Sequence, residues 1–134
     1  KPSFPGFQHP LLFADETRAF AFLATTMSDG SPQVTPVWFN TEGDDILINS
    51  AQGRVKDRNM RERPQVALAI VDPRDSYRYI SLRGRVVEIT TEGGWAHIDA
   101  LAKKYTGNEH FTPNSDDEVR VIYRIRLEKV HTSG

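Results

Sequence analysis

The residues best suited to chemistry stand together at positions 49–59, in the segment Asn-Ser-Ala-Gln-Gly-Arg-Val-Lys-Asp-Arg-Asn. This segment runs from the end of a predicted strand, through a turn at Gly53, into the start of a predicted helix. A helix N-terminus presents unpaired backbone N–H groups and partial positive charge, which suit a phosphate. Ser50 adds a hydroxyl donor, Arg54 a planar fork of donors and Lys56 a point charge. The segment therefore predicts a phosphate-binding site.

The same charges also allow a purely structural interpretation, in which Arg54 and Lys56 pair with nearby carboxylates. Five basic residues between positions 54 and 63 outnumber two acidic ones, which favours the phosphate site. Asn59 follows Lys56 by three positions, so both side chains share one face of the predicted helix.

A second candidate feature is the run Thr-Pro-Val-Trp-Phe at residues 35–39. A proline inside a strand belongs at an edge or a bulge, because it has no N–H to donate. Neighbouring backbone groups then remain available to hydrogen-bond a flat heterocycle. The alternative is that Pro36 only ends the strand pairing and that Trp38 fills the core.

A third feature, Ser-Tyr-Arg-Tyr at residues 76–79, offers aromatic and cationic contacts for a groove. An ordinary exposed strand start is the alternative. Signatures of self-contained catalysis are absent from the sequence, including G-x-S-x-G, the Walker A motif, H-E-x-x-H and G-x-G-x-x-G. The four histidines, at positions 9, 97, 110 and 131, never stand three to five residues apart, and we interpret them as ordinary surface or helix residues. An enzyme with this sequence would rely on a bound cofactor for its chemistry.

Length and composition fit one globular domain: 134 residues, 38% hydrophobic and 26% charged. The net charge of −1 disfavours a dedicated nucleic-acid binder, although residues 54–85 hold nine basic and four acidic side chains. The absence of cysteine excludes disulfides, a thiolate zinc site and a cysteine nucleophile. No apolar run reaches the 18 residues of a membrane span. We expect a soluble, cytoplasmic protein without nucleic-acid or membrane partners.

The elements that must position these residues are mostly strands joined by hairpins. The patterns predict strands at 20–27, 33–40, 46–50, 66–71, 78–90 and 119–128, helices at 54–63 and 92–105, and one short helix within 10–18. The continuous apolar run 66–71 predicts burial on both faces, and Gly84 predicts a bulge or a close backbone approach. After an irregular segment at residues 1–9, we expect one domain over 10–134: a small antiparallel barrel with peripheral helices.

Three blocks of sequence, residues 24–39, 48–59 and 79–89, together resemble the pyridoxamine 5′-phosphate oxidase-like split β-barrel superfamily. Within that superfamily, the chain resembles the short flavin- and deazaflavin-dependent oxidoreductases, of the F420-dependent type B branch. The resemblance extends over roughly residues 10–131. It implies a mainly β fold, a six-stranded antiparallel split barrel with peripheral helices, and a homodimer with two cofactor sites at the subunit interface.

The resemblance also implies which residues bind the cofactor. Those around its phosphate are Arg54, Lys56, Ser50 and Asn59, with Asn49 beside them. Those bordering its ring are Thr35, Pro36, Val37 and Trp38, and those approaching from the partner subunit are Tyr77, Arg78 and Tyr79. The family transfers hydride between a reduced ring and a bound acceptor, so no catalytic side chain and no metal are expected.

The resemblance favours coenzyme F420, an 8-hydroxy-5-deazaflavin, with FMN as the alternative. Pyridoxamine-phosphate oxidases carry a further C-terminal segment whose Arg and His bind the substrate phosphate, and residues 128–134 do not match it, which disfavours vitamin B6 oxidation. We expect a deazaflavin-dependent reductase of an unsaturated or quinone-like small molecule. The alternatives are an FMN-dependent oxidase or reductase, a non-catalytic flavin- or deazaflavin-binding protein and, disfavoured by the net charge, a small nucleic-acid-binding barrel.

Overall fold

Seven strands and three helices make up residues 12–133, which are the residues that the computed structural model describes, apart from the side chain of Leu12. Their bounds are α1 Leu12–Glu16, β1 Ala21–Thr26, β2 Pro32–Val37, β3 Phe39–Glu42, β4 Asp45–Ala51, α2 Val55–Glu62, β5 Gln65–Asp72, β6 Asp75–Thr90, α3 Gly94–Thr106 and β7 Arg120–Ser133. The irregular segment predicted for residues 1–9 lies outside the described residues. Within them, none of the helices combines the length and apolar character needed to cross a membrane.

All seven strands form one antiparallel sheet in the order β2-β1-β5-β6-β7-β4-β3. The two edge strands, β2 and β3, are consecutive in sequence and separated only by Trp38. Because Val37 ends one edge and Phe39 begins the other, the sheet must curl until its two edges meet. The prediction of a mainly β, antiparallel split barrel is therefore confirmed, with seven strands instead of six.

The additional strand arises at Trp38, where the single strand predicted for residues 33–40 is in fact two. The chain leaves its pairing with β1 at Val37 and enters its pairing with β4 at Phe39. Strand propensities cannot reveal this change of pairing partner, because the residues on both sides of Trp38 favour extended structure equally. Pro36 lies on edge strand β2, opposite Phe22, where its missing N–H breaks no ladder.

The hydrophobic core fills the inside of the curled sheet with alternate residues of its strands. Its largest fully buried apolar side chains are Tyr123, Phe39, Leu23, Ile46, Ile48, Met60, Ile70, Ile80, Ile125 and Val121. Strand β5 was predicted to be buried on both faces, and this is wrong for a single chain. Its residues Val66, Leu68 and Ile70 face the core, whereas the opposite face, with Ala67 and Ala69, is only half-buried.

Two glycines allow neighbouring backbone segments to approach each other closely. A Cβ on Gly94 would lie 2.2 Å from the carbonyl oxygen of Arg120, so only glycine lets α3 begin directly against β7. A Cβ on Gly84 would lie 2.6 Å from the carbonyl oxygen of Arg126, at a shift in the β6–β7 register. The bulge predicted at Gly84 is thereby confirmed.

Helix α3 packs on the barrel through Ile98, Leu101 and Tyr105, and it ends at Gly107. Gly107 has a φ of +84°, the left-handed conformation that favours glycine, and it ends the helix close to the boundary predicted at residue 105. Trp95, in the first turn of α3, is 38% exposed.

Candidate functional site

One pocket, of about 290 Å³, brings together most of the predicted site residues. One side of it is the junction between β2 and β3, with Pro36, Val37 and Trp38. The other side is the β4–α2 connection, with Asn49, Ser50, Arg54 and Lys56. The sequence did not indicate the remaining lining residues, which are Phe20, Ile98, Phe111, Asn114 and Arg120.

Of the five basic residues between positions 54 and 63, three have side-chain partners within the part of the fold that the structure describes and two do not. Arg58 donates to the carbonyl oxygen of Gly53 at 2.5 Å, and Arg63 donates to that of Thr26 at 2.7 Å. Arg61 pairs with Asp57 at 3.0 Å. Three of the five basic residues counted in the sequence therefore hold the helix in place.

The two remaining cations, Arg54 and Lys56, form no ion pair with any residue that the structure describes. The carboxylate of Asp57 is occupied by the backbone N–H of Gly53, by Arg61 and by the hydroxyl of Tyr123. Asp57 therefore does not neutralise these two cations, and Glu118, whose pKa is lowered in part by the charge of Arg54, does not form an ion pair with either. Both side chains line the pocket instead.

The electrostatics of Lys56 indicate an excess of positive charge at this site. Burial lowers the pKa of Lys56, and the nearby charges of Arg54 and Arg120 lower that pKa further. A bound anion would raise the pKa of Lys56 and so oppose the effects of the charges on Arg54 and Arg120. The N-terminus of α2 adds its own positive end, and no side chain caps it.

The hydroxyl of Ser50 is buried in this pocket without a hydrogen-bond partner among the described residues. An unsatisfied buried donor costs about 1–3 kcal/mol, so it is expected where a ligand supplies the partner. Thr35 also has a buried, unpartnered hydroxyl, although its side chain does not line the pocket. Both residues were predicted to bind the cofactor.

Arg120 brings a third guanidinium or ammonium group to the pocket, from the start of β7. It donates from Nε to Oδ1 of Asn49 at 2.9 Å and from Nη1 to Glu118 at 2.7 Å. The ring of Phe111 lies 4.8 Å from its guanidinium carbon. The sequence alone left Arg120 as a polar residue of an alternating strand. Only the pairing of β7 with β4, which sets Arg120 opposite Ala51, would have located it.

His97 belongs to a partly buried hydrogen-bond network that the sequence interpretation missed. The amide nitrogen of Asn49 lies 2.9 Å from the carbonyl oxygen of Gly94 and 3.1 Å from Nδ1 of His97. On the other side of the ring, Nε2 lies 2.7 Å from Oδ1 of Asn40. Burial, aided by the charge of Arg120, lowers the pKa of His97 to about 4. A neutral ring that accepts at Nδ1 and donates from Nε2 satisfies every contact.

The apolar wall of the pocket is built from stacked aromatic rings. Trp38 lies parallel to Tyr105, with ring centroids 5.3 Å apart, and Phe111 meets Trp38 edge-on at 6.1 Å. The hydroxyl of Tyr105 donates to the carbonyl oxygen of Ala19 at 2.6 Å, which fixes its ring. These contacts hold the indole as a flat surface beside the cationic end of the pocket.

Five predicted residues do not line this pocket: Thr35, described above, and Asn59, Tyr77, Arg78 and Tyr79. Asn59 is buried under α2, where its amide donates to Thr25, so it positions the helix. Tyr77, Arg78 and Tyr79 lie at the start of β6, and Tyr77 is 84% exposed. Their approach from a partner subunit stays a prediction.

Comparison with known proteins identifies the family. A model of the pyridoxamine 5′-phosphate oxidase family matches residues 14–134. An F420 reductase of known structure is 30% identical, with 98% of each chain covered and a TM-score of 0.79. No curated protein matches the sequence.

More distant structures share the fold. A candidate pyridoxamine 5′-phosphate oxidase of Listeria innocua is 15% identical over 91% of this chain and 93% of its own, with a TM-score of 0.69. A conserved hypothetical protein of Mycobacterium tuberculosis is 23% identical over 90% of this chain and 79% of its own, with a TM-score of 0.70. Given the match across nearly its whole length, this chain belongs to the pyridoxamine 5′-phosphate oxidase family of split β-barrels.

Proposed function

We propose that this protein is an oxidoreductase that binds coenzyme F420 and transfers hydride between the reduced cofactor and an unsaturated or quinone-like small molecule. The observation that carries the proposal is the meeting of two unpaired cations, Arg54 and Lys56, with the unpartnered hydroxyl of Ser50 in one pocket. Similarity to an F420 reductase favours F420 over the other phosphate-bearing cofactors.

The donor set fits a phosphate group. Arg54 offers a fork of N–H donors, Lys56 an ammonium group, and Ser50 a hydroxyl that has no other partner among the described residues. Arg120 adds a further positive charge to the pocket while its own guanidinium stays bound to Asn49 and Glu118. A phosphate held there would also relieve the repulsion that lowers the pKa of Lys56.

The apolar part of the pocket fits a flat ring. Trp38 and Phe111 present aromatic surfaces, and Pro36 and Val37 border them on the edge strand β2. Edge strands leave backbone N–H and C=O groups unpaired on one side, which suits the polar rim of an isoalloxazine or deazaflavin ring. Thr35 adds a buried, unpartnered hydroxyl one residue before Pro36.

A second copy of the chain would complete the site. The pocket of one chain lies just below the range of about 300–1,000 Å³ that is usual for small-molecule sites. The outer face of β1, β2 and β5 is apolar, with Phe22 and Val34 exposed by 42% and 64%. We therefore expect a homodimer, with Tyr77, Arg78 and Tyr79 of each chain approaching the cofactor of the other.

Bound F420 supplies a two-electron hydride carrier, so the protein need not provide a nucleophile. The protein's own residues bind and orient: Arg54 and Lys56 hold the phosphate end, and Trp38 excludes water from one side of the ring. His97 stays neutral at pH 7 and keeps its proton on Nε2, toward Asn40, which leaves Asn49 fixed at the pocket wall.

The first test is a parallel titration of the apo-protein with F420 and with FMN, followed by fluorescence, and then hydride transfer from reduced F420 to a panel of enones and quinones. We expect tighter binding of F420 and turnover with at least one acceptor. Tighter binding of FMN would replace the proposal with an FMN-dependent oxidase or reductase. F420 binding without turnover would indicate a carrier, and binding of neither would refute both.

A further inference from the structure

A second, larger pocket of about 700 Å³ lies where the pairing of β6 and β7 is irregular, and it shares no lining residue with the candidate cofactor pocket. It is lined by the start of β5, the bulged part of β6 and the middle of β7. The residues are Gln65, Val66, Arg83, Gly84, Arg85, Val87, Arg126, Leu127, Glu128 and Lys129. Four of them are basic and one is acidic, so the pocket carries a positive charge.

The basic residues of this pocket face each other in like-charged pairs across two strands. In the β6–β7 register, Arg83 lies opposite Lys129, and Arg85 lies opposite Arg126. Like charges directly opposite each other destabilise a sheet, so two such pairs in succession need a compensating charge. Glu128 provides little, because its contact with Arg85 is 3.9 Å long and both side chains are about half exposed.

Within the part of the chain that the structure describes, ion pairs offset the repulsion in one of the two like-charged pairs but not in the other. Arg126 pairs with Asp45 at 3.4 Å. Arg83 and Lys129 form no ion pair with any residue in the described range 12–133. Their positive charges are therefore available to an external anion.

The floor beneath these charges is apolar. Register shifts at Gly84 and after Val86 interrupt the regular pairing of β6 with β7 and open the pocket. Val66 and Leu127 form its buried base, and Val87 is 42% exposed within it. A fully hydrated ion would gain nothing from this surface, whereas a ligand with an apolar body would bury it.

We propose that this pocket is a second binding site, specific for a small amphipathic anion whose apolar body covers Val87 and Leu127 while its anionic group lies between Arg83 and Lys129. The site is independent of the cofactor pocket. Its ligand therefore carries a carboxylate, sulfonate or phosphate on an aromatic or aliphatic body.

The test uses 1-naphthalenesulfonate as the probe and titration calorimetry on the full chain. We expect the double variant Arg83→Ala/Lys129→Ala to bind the probe at least about tenfold more weakly, as the loss of charge-assisted contacts implies. Both substituted side chains are exposed and mutually repulsive, so the unfolding temperature of the unliganded variant should not fall. Val87→Asp adds a negative charge to the floor of the pocket, and it should weaken binding of the probe independently of the double variant.

Two controls distinguish this site from the cofactor pocket. Arg54→Ala/Lys56→Ala should retain binding of the naphthalenesulfonate, and the neutral 1-naphthalenesulfonamide should bind wild type much more weakly. The proposal is overturned by wild-type affinity in Arg83→Ala/Lys129→Ala, by equal affinity for the neutral probe, or by loss of binding only in Arg54→Ala/Lys56→Ala. None of these results depends on F420 being the cofactor.

Discussion

Arg120 and Asn49 are joined by a hydrogen bond of 2.9 Å between the guanidinium Nε and the amide Oδ1, although 71 positions separate them in sequence. Arginine can only donate, so this bond assigns the amide oxygen to the Arg120 side. The amide nitrogen must then face Gly94 and His97. A single side chain, Asn49, thus ties β4, β7 and α3 together at the wall of the candidate cofactor pocket.

Removing Arg120 should destabilise the fold. In Arg120→Leu, the Oδ1 of Asn49 loses its Arg120 donor and the carboxylate of Glu118 keeps only the backbone N–H of Asn114, and a broken buried ion pair costs about 3 kcal/mol. Urea denaturation at pH 7 measures this change. The double variant Arg120→Leu/Glu118→Leu should recover part of the loss, because no unpaired carboxylate remains. A loss below about 1 kcal/mol in the single variant would contradict the assigned network.

The neutral state of His97 predicts a pH dependence of stability. Its pKa in the folded protein is about 4, below its ordinary value of 6.5, so between these values the unfolded chain binds more protons. The contribution of His97 is therefore fully present above about pH 6.5, declines as the pH falls, and is gone near pH 4. It amounts to on the order of 3 kcal/mol.

The measurement is the free energy of unfolding from pH 7 to pH 4, in wild type and in His97→Gln. The glutamine does not titrate, and its amide can still donate toward Asn40. The slope of stability against pH should be smaller in the variant. Equal slopes in both proteins would show that His97 is not held neutral.

Much of the fold could be predicted because its turns and breaks are local. The β1–β2 hairpin follows from an Asp-Gly turn, and the end of α3 follows from Gly107, each at a positive φ that glycine tolerates. The division at Trp38 could not be predicted, since it depends on which strand each half pairs with. The half-buried face of Ala67 likewise depends on what packs against it.

The candidate site, too, could be predicted from the sequence only in part. Ser50, Arg54 and Lys56 could be predicted because they lie in one short strand–turn–helix segment. Arg120 and His97 could not, because pairing and packing over distances of about 50 to 70 residues bring them beside Asn49. The local pattern located the cationic part of the pocket, and tertiary structure supplied the side chains beside it.

Lys56→Ala should weaken cofactor binding roughly 10- to 150-fold, the equivalent of a charge-assisted hydrogen bond of about 1.5–3 kcal/mol. The fold should not lose stability, because Lys56 has no ionic partner among the described residues and is repelled by Arg54 and Arg120. A fluorescence titration measures the affinity. Lys103→Ala removes an exposed lysine of α3 and serves as the matched control. Wild-type affinity in a folded Lys56→Ala protein would refute the phosphate site.

Ser50→Ala should have opposite effects on the apo-protein and on the complex. Without ligand, the variant loses an unsatisfied buried hydroxyl, so its free energy of unfolding should rise by about 1 kcal/mol. With the cofactor present, it lacks one donor, and affinity should fall several-fold. Thermal unfolding with and without cofactor separates the two effects. A destabilised apo-protein would mean that the hydroxyl has a partner within the fold.

Trp38 and Lys56 should act on different parts of the ligand, and paired ligands can separate them. FMN and riboflavin share a ring, and only FMN carries the phosphate. Because Trp38 lines the pocket and the proposed function sets the ring against it, Trp38→Leu should weaken binding of both ligands alike, by about 1–3 kcal/mol for one lost stacking contact. Lys56→Ala should weaken FMN and leave riboflavin unchanged. Trp95→Leu, at the other tryptophan of the chain, should change neither affinity, since Trp95 is partly exposed on α3 and does not line the pocket. The same comparison applies to F420 and its phosphate-free deazaflavin core.

Two outcomes would contradict this assignment: an equal loss of affinity for both ligands in Lys56→Ala, or a loss of affinity confined to FMN in Trp38→Leu. Either would mean that the ring and the phosphate do not occupy the ends of the pocket assigned to them.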